Sequence, residues 1–142
     1  MFSEQTYRGI VRASAWYDLV VTAAFATPWT FPIVLAVASW ASQSVGLNDP
    51  FPEFSPAHTL FANLLGSVVV VWALVRITRP EPWLGRYDAL SRLLFAAWQF
   101  YAVSEGAPRI ILAFTVFEIA FGVAEASPIR RSRMAANKPS SS

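Results

Sequence analysis

The sequence predicts an all-α fold, a polytopic integral membrane four-helix bundle with both termini cytoplasmic. Three observations predict it. Of 142 residues, 55% are hydrophobic and only 14% charged, where a soluble domain carries about 25% charged residues. So few charges cannot cover a chain of this length in water, and apolar surface must face lipid. The apolar residues fall into four long segments, and the Lys and Arg residues fall almost entirely on one side of them.

The first segment, residues 13–42, carries one charge, Asp18, near its start. At 1.5 Å per residue it would reach ~45 Å, more than the ~30 Å of a hydrocarbon layer. Pro28 and Pro32 remove two backbone donors one turn apart, so helix 1 is expected to kink there, with Thr27 and Thr30 placed to satisfy freed carbonyls. A cleaved signal peptide is the competing reading, from Arg8 and Arg12 before the segment and Ala36-Val-Ala38 within it, but the apolar stretch is far too long for one. The second segment, 58–76, is uncharged until Arg76 closes it. The third, 88–104, is shorter, and Arg92 one turn in is expected to snorkel toward the headgroups. The fourth, 109–127, is bounded by Pro108 and Pro128 and carries Glu118 at its midpoint and Glu125 near its end. Residues 1–128 thus form one four-helix transmembrane domain, and 129–142 read as a basic, disordered cytoplasmic tail.

With these spans, ten of the eleven Lys and Arg residues lie on one side, leaving only Arg109 on the other. The positive-inside rule then makes both termini cytoplasmic and the Pro-rich loop over 43–57 external. Trp16, Tyr17, Trp40, Trp72, Trp83, Tyr87 and Tyr101 sit near span ends, as membrane-interface aromatics do, whereas Trp29 and Trp98 fall deeper. The layout resembles that of small four-helix proteins of the bacterial inner membrane, the DoxX-like group among them. The resemblance is one of size, span count and topology, and it carries no site residue.

Residues 17–26 and 87–96 share four identities in ten, beginning with Tyr-Asp, in two helices that run the same way. Duplication of a helical hairpin is one origin for such a pattern. Asp18 and Asp88 suit the positive end of a helix dipole and are expected to form interfacial ion pairs with Arg12 or Arg92. Glu125 is expected to pair at the interface with Arg130, Arg131 or Arg133.

Glu118 is the most informative residue. An ionised carboxylate near the bilayer centre costs about 2.5 to 3.5 kcal/mol on insertion scales, so it must be neutral, paired or facing a cavity. Every basic residue is expected at a span end, which leaves Glu118 without a partner at its depth and favours the neutral acid. Asn63, Gln99 and Thr115 lie at successive depths above it, and together with His58 at the rim they outline a polar pocket opening outward, a site for ligand binding or proton relay. The plainer account of these groups is hydrogen bonding between helices. Ala62 with Gly66, and Gly122 with Ala126, have the small-xxx-small spacing that lets helices approach closely.

Zero cysteines and one histidine exclude disulfides, iron-sulfur clusters and thiolate zinc sites, and Asp49, Glu53 and His58 lack metal-ligand spacing, so no metal or cofactor is expected. No phosphate-binding loop, dinucleotide fingerprint or nucleophile motif occurs, and no catalytic residue is assigned. The expected function is a non-enzymatic, multi-pass protein of the bacterial cytoplasmic membrane that binds or transports a small ligand. Its expected partners are membrane lipid and either further copies of itself or a larger membrane protein; nucleic acid is not among them. An accessory subunit of a membrane enzyme or redox complex is the alternative, and an autonomous enzyme using His58 and Glu118 ranks below both.

Overall fold

In the computed structural model, which describes residues 1–130, the chain is all-α: five helices, with 75% of the described residues helical. The order is β1 (Phe2–Ser3), α1 (Glu4–Thr22), a 3-10 turn (Ala23–Phe25), α2 (Phe31–Ser44), α3 (Pro56–Thr78), α4 (Pro82–Ser104), α5 (Ile111–Ala126) and β2 (Ile129–Arg130). The expected tail from residue 131 onward lies outside the described residues. Ile129 and Arg130, assigned to that tail from the sequence, instead pair in parallel with Phe2 and Ser3.

Local signals set the helix ends. The Ser3 side chain accepts from the amide of Thr6 and that of Ser55 from the amide of His58, while Pro56 and Pro82 open α3 and α4 where a missing N–H costs nothing. At the other ends of α2 and α4 the chain turns at Gly46 (φ 76°) and Gly106 (φ 97°), a conformation that only glycine adopts cheaply. Both glycines close the same motif: Leu47 N donates to Ser42 O and Ala107 N to Ala102 O, each five residues back.

The expected kink in helix 1 is a break. The helix begins at Glu4 rather than residue 13, ends at Thr22, and resumes as α2 only at Phe31. Pro28 disfavours a helical Thr27 and both prolines lack a donor, so two helices form where one bent helix was expected. Thr30 Oγ1 donates to Ala24 O (2.6 Å) and Asn63 Nδ2 to Phe25 O (2.7 Å), taking up carbonyls the break exposes. Gly66 of α3 lies against the same segment: a Cβ there would stand 2.7 Å from both Ala26 N and Phe25 C.

The five helices cover the four segments expected from the sequence, α1 and α2 together taking the first. α4 packs along α5 and α1 along α3; α1 also touches α4 and α5, and α2 rests chiefly on the 3-10 turn. At one end the β1–β2 pairing joins the ion pair Arg8–Glu81 (2.9 Å), and Arg86 donates to the last carbonyls of α5, including Glu125 O (3.0 Å) and Ser127 O (2.8 Å). At the other end Arg109 grips Asp49 through its amide and guanidinium, at 2.9 to 3.0 Å.

The side chains are distributed inside out. Arg76, Arg92, Asp88, Glu118, Glu125, Ser14, Ser42 and Thr115 are buried, outnumbering the buried apolar residues Tyr7, Val11, Ala15, Phe31, Ala73, Leu84 and Ala96. Large apolar residues such as Leu64, Val68, Trp83, Leu93, Trp98 and Val116 cover the outside. By length and composition one helix among the described residues, α3, suffices alone to cross a membrane. α5 has 16 residues, the first pass is split, and α4 carries Arg86, Asp88 and Arg92.

Candidate functional site

The buried charges form one network drawn from four helices. α1 supplies Asp18 and Ser14, α3 supplies Arg76, α4 supplies Asp88 and Arg92, and α5 supplies Glu118 and Glu125. Arg76 donates to Asp18 Oδ2 and Asp88 Oδ2, both at 2.5 Å, and to Ser14 Oγ at 3.3 Å. Arg92 donates through Nη2 to Asp18 Oδ2 (2.8 Å), through Nε to Asp88 Oδ2 (2.9 Å) and through Nη1 to Glu118 Oε2 (2.8 Å). Trp72 Nε1 donates to Asp88 Oδ1 (2.8 Å), which fills that carboxylate's other oxygen.

Aromatic faces cover the guanidinium groups. Arg76 lies over Trp72 at 5.5 Å and Arg92 over Phe121 at 5.1 Å, a contact that suits a desolvated cation. At the lower edge of the network Tyr7 Oη donates to Glu125 O (2.5 Å), and Gly85 permits this approach, since a Cβ there would meet Tyr7 Oη and Val11 Cγ2 at 2.7 Å.

This geometry corrects the expectation that Glu118 has no basic neighbour at its depth. α4 starts at Pro82, six residues before the expected start of the span at 88, so Arg92 lies ten residues inside the helix and level with Glu118. Arg92 does not snorkel; it is 2% exposed. Nor are Asp18, Asp88 and Glu125 surface pairs. Asp18 and Asp88 bind Arg76 and Arg92 inside the bundle, while Glu125 is wholly buried and takes a hydrogen bond from Ser14 Oγ (2.5 Å); of its expected partners Arg131 and Arg133 lie outside the described residues. Arg12 joins none of these pairs.

The outward pocket expected from Glu118, Asn63, Gln99, Thr115 and His58 does not gather as one site. Thr115 and Gln99 do meet, Thr115 Oγ1 donating to Gln99 Oε1 at 2.6 Å, one turn of α5 from Glu118. Asn63 is occupied by the carbonyl of Phe25. His58 is exposed beside its cap, with Nδ1 3.2 Å from Ser55 Oγ and its ring edge-on to Phe54. Each polar group thus has a local partner.

The open space lies elsewhere. A groove of about 530 Å³, open to the outside, runs between α3 and α4. Its walls are apolar and aromatic, with Leu65, Val68 and Trp72 on one side and Trp83, Tyr87 and Phe95 on the other, and its floor is Asp18, Asp88 and Arg92. Sequence reasoning singled out all three floor residues but placed them at the membrane surface; Arg76, Ser14 and Tyr7 it missed. The signal available was the repeated Tyr-Asp, since both of its aspartates converge here.

Two ion pairs outside the spans latch the ends. The Arg109 guanidinium holds the Asp49 carboxyl below the usual carboxylate range, and Arg8 does the same to Glu81. Among the described residues no three His, Asp or Glu side chains are grouped to hold a metal ion. No family model matches the chain, and neither a curated protein nor a solved structure matches it.

Proposed function

We propose that the chain is a non-enzymatic, multi-pass protein of the cytoplasmic membrane that binds or carries a small amphipathic molecule with a cationic head. The membrane reading is supported by the inversion of side chains, charged within and apolar without, which is costly in water and favourable in lipid. The distribution of Lys and Arg along the sequence, on one side of the four expected segments, supports the same reading through the positive-inside rule.

One observation carries the ligand reading: a groove with an aromatic and aliphatic lining that ends on Asp18 and Asp88. Apolar walls take a hydrocarbon or aromatic body and acidic floor residues orient a polar end. The sign of that end follows from the charge count. Three buried carboxyl groups, Asp88, Glu118 and Glu125, together with the partly exposed Asp18, face two buried guanidinium groups, Arg76 and Arg92, so the site has acid to spare. Trp72, Trp83, Tyr87 and Phe95 add aromatic faces, which attract cations.

The test is binding of tetraphenylphosphonium to the purified protein in nanodiscs, read by tryptophan fluorescence and calorimetry. Saturable binding is expected, weakened at least tenfold, about 1.4 kcal/mol, by Asp18→Asn and also by Trp83→Leu, which lines the groove without joining the network. Folding of each variant is checked by circular dichroism. Absence of binding to the wild type, or equal binding by both folded variants, overturns the reading.

A second reading is an accessory subunit in a membrane enzyme or redox complex. It is favoured by α2, which rests on little of its own chain and leaves Trp29, Ile33, Val37 and Trp40 exposed. Lipid, a second copy or a larger membrane protein would cover that face. Recovery of a stoichiometric partner after mild solubilisation supports this reading, and a lone monomer opposes it.

A further inference from the structure

We infer that Glu125 is a proton-binding site: the buried network holds one proton on Glu125 Oε2, directed at the carboxylate of Asp88. Three observations lead there, and none depends on what occupies the groove.

The first is stoichiometry. With all four carboxyl groups ionised the network would carry two more negative than positive charges, and three of the four, Asp88, Glu118 and Glu125, are buried. Buried charge is tolerated only when paired, and a surplus carboxylate lowers its cost by taking up a proton.

The second is an orphan. Glu125 is 0% exposed, and its Oε1 accepts from Ser14 Oγ, but its Oε2 has no hydrogen-bond partner among the described residues. The nearest donor, Arg92 Nε, is 3.5 Å away and its proton is already taken by Asp88 Oδ2 at 2.9 Å. A buried carboxylate oxygen with no donor is expensive.

The third is the neighbour. Asp88 Oδ2 (2.9 Å) and Glu125 Oε2 (3.5 Å) both approach that same nitrogen, so two acceptors compete for one N–H. A proton on Oε2 turns one acceptor into a donor and removes both the repulsion and the orphan, the arrangement by which two adjacent carboxyl groups share a single proton. Of the other charged or titratable groups around Glu125, Tyr7 on α1 and Arg86 on α4 donate to its backbone carbonyl and Arg92 on α4 approaches its side chain, while Asp18 on α1, Arg76 on α3 and Glu118 on α5 belong to the same network. Glu118 is unsuited to the role, because Arg92 Nη1 donates to it directly.

Infrared spectroscopy of the full chain in nanodiscs tests this. At neutral pH a carboxylic acid C=O band is expected in the wild type, retained in Glu118→Gln, lost in Glu125→Gln, and bleached as pH is raised. Glu125→Gln keeps a donor toward Asp88 and should fold. Should it fail to, wild-type protein labelled with carbon-13 only at glutamate decides the matter, because the band must move on glutamate labelling and stay fixed on aspartate labelling. A wild type with no such band at neutral pH, a band that survives in Glu125→Gln, or one that moves with aspartate labelling overturns the inference.

Discussion

Asp18 and Asp88, on different helices and 70 residues apart, are held by the same two arginines: Arg76 and Arg92 each donate to both. These are the acidic residues of the two Tyr-Asp pairs in the internal repeat. The result is a closed square of two acids and two bases, with Glu118 attached to one corner.

Removing a corner should be severe. Arg92→Leu strands Glu118 in the interior and leaves Asp18 and Asp88 to share Arg76, and breaking a buried pair from one side costs about 3–5 kcal/mol. The variant is expected to melt far below the wild type in mild detergent. Arg92→Leu combined with Glu118→Leu is expected to recover part of that loss, and strict additivity of the two single effects would contradict the pairing.

Gly66 should tolerate no side chain. Its Cβ would press on the backbone of Phe25 and Ala26, which cannot rotate away as a side chain would. Gly66→Ala is expected to destabilise by about 1–3 kcal/mol. Gly9→Ala, with nothing within 4 Å of the added carbon, is the control and should be neutral or slightly stabilising. Thermal unfolding of the two variants side by side reads the difference.

The Asp49–Arg109 clamp should depend on pH in one direction. Arg109 lowers the folded-state pKa of Asp49, so the clamp's contribution is complete above the ordinary carboxylate range, about 4, and disappears as pH falls through the lower folded value. The gap in melting temperature between wild type and Asp49→Asn is therefore expected to stay constant from neutral pH down to that range and then close. A gap that widens on acidification would contradict the assignment.

Topology is open to direct measurement because the chain has no cysteine. Gln5→Cys and Glu105→Cys each place a thiol at an exposed position, at opposite ends of the bundle. In intact cells a membrane-impermeant maleimide is expected to label Glu105→Cys, and to reach Gln5→Cys only after lysis. Equal labelling of both in intact cells would end the four-pass membrane reading.

The helical segments, and the interruption at Pro28 and Pro32, were legible because composition and donor loss act locally. Pro28 and Pro32 marked the interruption of the first pass correctly in position, but whether a helix bends or breaks there depends on Asn63 and Gly66 of another helix, which no local pattern contains. The depth of Arg92 was misjudged for a local reason: Pro82 is a helix-start signal, and discounting it moved the start of α4 by six residues. The partners of Glu118 and Glu125 were not legible at all, since pairing across α1, α3, α4 and α5 is fixed by packing. Long arginine side chains also carry charge well away from the backbone position that hydropathy reads.

Because the acid-base square draws on helices made at different times, its assembly constrains how the chain is born. As the ribosome delivers α1, Asp18 enters with no counter-ion; Arg76 arrives only with the end of α3, Arg92 later still, and the orphaned side of Glu125 last. On the membrane reading proposed above, early segments would wait at the insertion machinery or its chaperones until α4 has emerged. A nascent chain arrested before residue 76 should be the one most readily extracted or degraded.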